Sequence, residues 1–268
     1  MKKAKISAEK YFRRYLRMGP IGPALWRSVE ARHLATLDLK SPLLDIGCGF
    51  GEFALAFFDK PTDVGIDNNA KDLEVARKTK KYKKLVLGDA RDMPFKDNSF
   101  SSVISISTFE HISRPKQLLK ESYRILKPGG IMAITLETDE VDKNTFYRPA
   151  LKKLGLGMLS DLCSYMYNSL YHRNTLSSKK YWKRLVESTG FEIIESKDII
   201  SLRVTKLFDL FLVTAWLSQL PKIFFGRRIV WRPKLMENII TKIFLKTINE
   251  EEEYGTNLFI VAQKPQKI

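Results

Sequence analysis

The sequence predicts an α/β fold, a parallel sheet with helices on both faces. From Leu43 onward, short apolar runs alternate with helical ones, the pattern of repeated strand–helix units. One apolar strand, Leu43-Leu44-Asp45-Ile46, runs straight into the glycine-rich turn Gly47-Cys48-Gly49-Phe50-Gly51 and then a helix. Hydrophobic residues make up 44% of the 268 residues, enough for one sizeable core with appended elements.

Residues 1–41 read as N-terminal helices. Tyr11, Phe12, Tyr15 and Leu16 form one apolar stripe, and Leu25, Trp26, Val29, Leu34 and Leu37 another. The run Met18-Gly19-Pro20-Ile21-Gly22-Pro23 separates them. This region is expected to pack on the sheet edge, or, by the family resemblance set out below, to serve as a lid. Residues 42–140 carry predicted strands at 43–46, 64–67, 84–87, 102–106 and 131–136, with helices at 53–58, 70–80 and 115–126. Gly129-Gly130 supplies a sharp turn into the fifth strand. Residues 178–198 and 254–264 complete the core. A helix at 178–188 puts Tyr181, Trp182, Leu185 and Val186 on one face, and strands follow at 191–196 and 256–262.

Two insertions interrupt this core. Residues 141–177 are rich in aromatic and aliphatic side chains. Residues 199–253 carry the apolar run 207–220, then Arg227, Arg228, Trp231 and Arg232, then a helix at 235–248. Both are expected to be helical, and a structureless loop as long as the second is unusual, so that one is expected to be functional as well. The 207–220 run is broken by Asp209 and is shorter than the about 20 apolar residues that span a bilayer. Flanking Arg, Lys and Trp suit a membrane interface, a substrate cap, or an oligomer contact.

The glycine turn sets the ligand question. A dinucleotide fingerprint spaces its glycines G-x-G-x-x-G; here the third comes one residue early, at Gly51. Asp45, two residues before Gly47, repels a pyrophosphate and attracts a cation. Asp67 and Asp89 end the next two strands. Three acids along one rim suit S-adenosylmethionine, with its sulfonium, ammonium, ribose diol and adenine amino group.

At these residues the chain resembles the class I S-adenosylmethionine-dependent methyltransferases, and within them the small-molecule branch. The resemblance runs from Leu43 to Leu136. It is carried by Leu44-Asp45-Ile46-Gly47-Cys48-Gly49-Phe50-Gly51, Gly65-Ile66-Asp67, Gly88-Asp89-Ala90 with Met93-Pro94-Phe95, Ser99-Phe100-Ser101-Ser102-Val103, Phe109-Glu110-His111-Ile112 and Leu126-Lys127-Pro128-Gly129-Gly130. It implies a Rossmann-like three-layer sandwich. The mostly parallel seven-stranded sheet would have its last strand antiparallel, between the fifth and sixth.

The resemblance also implies site roles. Gly47, Cys48 and Gly49 would pass along the methionine part of the cofactor, and Asp45 would help hold its ammonium. Asp67 would accept both ribose hydroxyls, unless it caps the following helix. Asn68 would border the adenine. Asp89 would accept the adenine amino hydrogen, unless it is a turn residue, and Ala90 would lend an amide. Ser107 would sit between cofactor and acceptor. His111 is the candidate general base, with a structural or pocket role beside it. Cys48 is read as a small turn residue without thiol chemistry.

The net charge of +16 points to an anionic partner or a solvated basic surface. Basic residues interleaved with large aliphatics suit a lipid-like acceptor and an anionic membrane surface. Nucleic acid fits less well, because no Asn/Asp-Pro-Pro-Tyr run for a flipped base and no RNA-binding module is present. No His/Cys/Asp set has metal-ligand spacing, and His33 and His172 are isolated. Two cysteines, Cys48 and Cys163, and an N-terminus without an apolar leader fit a cytoplasmic protein, peripheral on a membrane in the lipid reading. The expected activity is methyl transfer to a small amphiphilic acceptor. The competing readings are an RNA methyltransferase and a non-catalytic binding protein of the same fold.

Overall fold

The computed structural model describes residues 6–162, 165, 176–211, 232–251 and 253–266. The expected features at Cys163, His172 and residues 212–231, including Arg227, Arg228 and Trp231, lie outside the described residues. The chain divides into two compact units, one of residues 37–138, 173–197 and 257–268, the other of residues 1–36, 139–172 and 198–256.

The first unit is built on a seven-stranded sheet: β1 (Leu43–Ile46), β2 (Thr62–Asp67), β3 (Tyr82–Leu87), β4 (Phe100–Ile106), β5 (Leu126–Glu137), β6 (Glu192–Asp198) and β7 (Asn257–Gln263). Their order across the sheet is β3-β2-β1-β4-β5-β7-β6. β1 pairs in parallel with β2 and β4, and β7 runs antiparallel to β5, from Ile131 opposite Gln263 to Glu137 opposite Asn257. Order reverses at the β1/β4 boundary, and open α/β sheets bind ligands in the crevice beyond the strand C-termini at that point.

The sequence explains these elements. β1 and β7 are apolar runs buried almost throughout, as central strands covered on both faces must be. The helix Ala70–Thr79 starts on Asn69, whose side chain accepts the amides of Lys71 and Asp72, and ends on left-handed Lys80. The helix Lys179–Glu187 is capped by Ser178 and buries Trp182 and Val186. Trp182 joins Leu44, Ile46, Val103, Met132 and Ile134 in one core cluster, where truncating such a side chain to alanine costs roughly 2–5 kcal/mol.

One expectation changes. Gly129-Gly130 lies inside β5 rather than before it. Phe100 pairs with Leu126 and Ser102 with Ile131, so β5 bulges out of register there, and Gly129 takes φ 77°. The glycine pair lets the strand bulge and resume pairing.

The second unit is helical in its described parts: Glu9–Met18, Ile21–Leu34, Glu140–Lys143, Tyr147–Lys153, Leu202–Leu210 and Lys234–Ile248. Both predicted N-terminal stripes are buried except Leu37, which is half-buried, and Trp26 is tilted against Phe208 at 5.2 Å. Asp209, which interrupts the apolar run in the sequence, is itself buried. Its Oδ2 accepts the amides of Phe146 and Tyr147, each at 2.8 Å, and so holds the start of the 147–153 helix. Arg32 plays the opposite role at a helix end. Its guanidinium donates to the carbonyls of Asn249 at 3.0 Å and Glu250 at 3.1 Å, where orphan acceptors and the negative dipole end gather.

Candidate active site

The crevice beyond β1, β2, β3 and β4 is a cavity of about 400 Å³. It is lined by strand-end residues that include Gly47, Asp67, Asn68, Asp89, Ala90 and Ser107, with His111. These are seven of the ten residues singled out from the sequence; Asp45, Cys48 and Gly49 do not line it.

The glycine turn is held in shape from below. Gly47 and Cys48 both donate to the Ile66 carbonyl, at 2.9 and 3.2 Å. Gly47, Gly49 and Gly51 take φ values of 72°, 48° and 75°, where side chains are rarely accommodated. The reasons for glycine differ. A Cβ on Gly47 would meet Thr108 Cγ2 at 2.2 Å, whereas one on Gly49 would meet nothing within 4 Å. Gly49 thus leaves open space where the backbone can be approached.

Asp67 joins turn and rim. Its Oδ2 accepts the Gly49 amide and its Oδ1 the Asn69 amide, both at 2.9 Å. The helix cap is Asn69, so Asp67 is not committed to capping and lines the cavity. Each carboxylate oxygen has further lone-pair capacity for a hydroxyl.

Asp45 stands differently. It is buried under the turn, and Tyr82 Oη donates to its Oδ2 at 2.6 Å. Burial pushes its carboxyl up to about 7; the Tyr82 hydroxyl opposes this and the Asp67 charge adds to it. Burial also raises the Cys48 thiol, and the Asp45 and Asp67 charges add to that. A thiol held protonated this way is a poor nucleophile, in keeping with a packing role.

Asp89 has a partner that sequence reasoning missed. Arg91 grips it with Nη2 on Oδ2 at 2.6 Å and Nε on Oδ1 at 2.9 Å, while Nη1 reaches Ser113 Oγ at 2.8 Å. The Arg91 hydrogen bonds hold the Asp89 carboxyl below the usual range. The signal was in the sequence: Arg two places after Asp, in a turn, can fold back on it. The loop is anchored by Arg124, which donates to the carbonyls of Phe95 at 2.7 Å and Met93 at 3.0 Å, while Glu121 accepts the Met93 amide at 2.9 Å.

At the β4 end, Ser107 is buried at φ 46°, a strained region for a residue with a side chain. Its amide is fixed by Thr135, with Oγ1 at 2.9 Å. The following short turn, Phe109–His111, buries Phe109 and Glu110 and places His111 on the cavity wall. Thr108, Ile112 and Ser113 also line it and were not singled out.

Residues 44–134 match the family model described as a methyltransferase domain. The chain is 30% identical over 169 residues to the sterol 24-C-methyltransferase of Aspergillus fumigatus, covering 59% of this chain and 41% of that one. It is 27% identical over 172 residues to the ubiquinone/menaquinone biosynthesis C-methyltransferase UbiE of Ruegeria sp., covering 59% and 68%. The chain thus spans less than half the length of the sterol methyltransferase. Among solved structures it resembles a SAM-dependent methyltransferase from Thermotoga maritima, with TM-score 0.57, 21% identity and coverage of 91% of each chain. It also resembles the [4+2]-cyclase SpnF, with TM-score 0.58, 18% identity and coverage of 91% and 82%. The glycine turn and the cavity rim lie within residues 44–134, the stretch that matches the methyltransferase domain, and the sheet has the fold of the solved S-adenosylmethionine-dependent methyltransferase. By their descriptions, these two sequence relatives are C-methyltransferases, one of a sterol and one of ubiquinone/menaquinone biosynthesis.

Proposed function

We propose that this protein binds S-adenosylmethionine in the strand-end cavity and transfers its methyl group to a small amphiphilic, lipid-like acceptor. The observation that carries the cofactor reading is Asp67, which lines the cavity at the end of β2 while its carboxylate is fixed by the Gly49 and Asn69 amides. A pre-oriented carboxylate suits a ribose diol, and the open space at Gly49 suits a ligand running along the turn. The volume of about 400 Å³ falls in the roughly 300–1,000 Å³ range of small-molecule sites. Asp89, Ala90 and Asn68 would hold the adenine end. Asp45 acts from below, through the turn it supports.

Bound adenosylmethionine would supply an activated methyl group on a sulfonium. The protein's task is then to align an acceptor and exclude water. Ser107 and Thr108 form the strand-end wall beside the glycine turn, and His111 can take a proton from an acceptor hydroxyl at the same rim. The acceptor reading rests on the sterol and quinone relatives and on the basic, aliphatic-rich 199–253 region. Such acceptors reside in bilayers, so an anionic membrane surface is the proposed working partner. The second reading is a non-catalytic binding protein that keeps the same fold.

Methyl-labelled adenosylmethionine, purified protein and a fractionated cell extract test this. Label in the organic-soluble fraction is the expected result. Label in RNA or in aqueous small molecules overturns the acceptor class, and cofactor binding without any transfer favours the second reading.

A further inference from the structure

The Lys234–Ile248 helix sorts its charges by face. Its one acid, Glu237, is buried and held by Arg17, with Nε at 2.9 Å and Nη2 at 2.8 Å, and by Arg13 at 3.5 Å. The inward side also supplies the packing. Phe244 meets Phe12 edge-on at 6.4 Å and Phe211 at 5.9 Å, and Thr241, Thr247 and Ile248 are buried. The fold therefore already has its buried stripe from this helix.

The other side is unusual for a surface helix. Leu235 is 71% exposed, Met236 50%, Ile239 51% and Ile243 62%. Lys234, Lys242 and Lys246 are exposed beside them. An amphipathic helix normally turns polar residues outward once its core stripe is buried. Here the outward face pairs large aliphatics with lysines and presents no acid.

We propose that this outward face docks the protein on an anionic lipid membrane. The helix would lie in the interface plane, with Leu235, Ile239 and Ile243 at the acyl boundary and the lysines reaching back to the headgroups. At 15 residues the helix is too short to span a bilayer. The charge pattern selects this occupant. A second copy would bring the same lysines face to face, and nucleic acid would use the lysines but leave the aliphatics in water. The proposal rests on the amphiphilic-acceptor reading for its purpose, since a docked enzyme meets acceptors held in the bilayer.

The test is vesicle flotation of the full chain, without acceptor, on phosphatidylcholine alone and on phosphatidylcholine mixed with phosphatidylglycerol. Binding to the mixed vesicles, weakened by salt, is expected. Ile239→Asp/Ile243→Asp and Lys242→Glu/Lys246→Glu should each cut it roughly tenfold or more. Adenosylmethionine affinity, measured by calorimetry, should be unchanged in both variants. That readout separates lost docking from lost folding and from failure of the cofactor reading. If the aspartate pair does not fold, the charge-reversal pair carries the test. Absence of flotation with anionic vesicles, or variants that float like the wild type, overturns the proposal. Concentration-dependent self-association abolished by the same substitutions overturns it in favour of a second copy.

Discussion

Tyr82 Oη on β3 donates to Asp45 Oδ2 on β1 at 2.6 Å, spanning β2 between them. Gly65 on β2 makes the reach feasible, because a Cβ there would stand 2.9 Å from the Tyr82 ring and 3.0 Å from Cys48 Sγ. The pair is a strut under the glycine turn. The tyrosine thereby shapes the site without lining the cavity.

This strut predicts a pH-dependent mutational cost. Burial raises the Asp45 carboxyl from 3.8 to about 7, so the folded state binds that proton more tightly than the unfolded state. Its contribution to stability is full below about 3.8 and falls away as pH rises towards about 7. Tyr82→Phe removes the donor serving the ionised carboxylate. Denaturant unfolding should show a loss of about 1.5–3 kcal/mol near pH 8.5 and about 0.5–1.5 kcal/mol near pH 5. An equal loss at both pH values would mean that Asp45 does not change its protonation between them.

The glycines should separate fold from binding. Gly47→Ala forces a methyl onto Thr108 and should destabilise strongly, by about 2–4 kcal/mol, with partial rescue by Thr108→Ala. Gly49→Ala meets no atom and should cost about 1–2 kcal/mol for its backbone alone. Its adenosylmethionine affinity should fall further than its melting temperature suggests. Thermal melts and calorimetry on the three variants decide this.

Asp209→Ala should lower stability by about 1–3 kcal/mol, since two backbone amides lose a buried carboxylate acceptor. Cofactor affinity should stay unchanged, because Asp209 belongs to the unit without the cavity. A parallel fall in affinity would contradict the separation.

Glu237→Gln should show the opposite pH sense from the strut. The Arg17 hydrogen bonds hold this carboxyl below its usual value, so its contribution is present above about pH 4.5 and lost as pH falls through the depressed value. Arg17 is well exposed, so solvent limits the effect to about 1 kcal/mol or less. Unfolding at about pH 7 and about pH 3 should show the wild-type advantage only at the higher value.

The strands and most helices were legible because their signals are local. Alternating apolar runs, glycine turns and caps placed six of the seven strands within two residues. β5 is the exception, because its bulge is set by pairing with β4 rather than by its own sequence. Seven cavity residues were legible because strand ends in a parallel sheet converge on one crevice. The burial of Asp45 was not, since it depends on Tyr82 reaching across from a strand 37 residues away. The grip of Arg91 on Asp89 had a weak signal, an Arg two places after an Asp in a turn, which competing turn geometries share. Asp209 looked like an interruption of an apolar run. It is an acceptor for amides 62 and 63 residues upstream, a role visible only in three dimensions.

The most direct test of the central claim is titration calorimetry of S-adenosylmethionine into the wild type and Asp67→Ala. One site per chain is expected in the wild type and a weakening on the order of 100-fold in the variant, the loss of a charge-assisted, two-pronged contact. No binding to the wild type, or equal affinity in the variant, would contradict it.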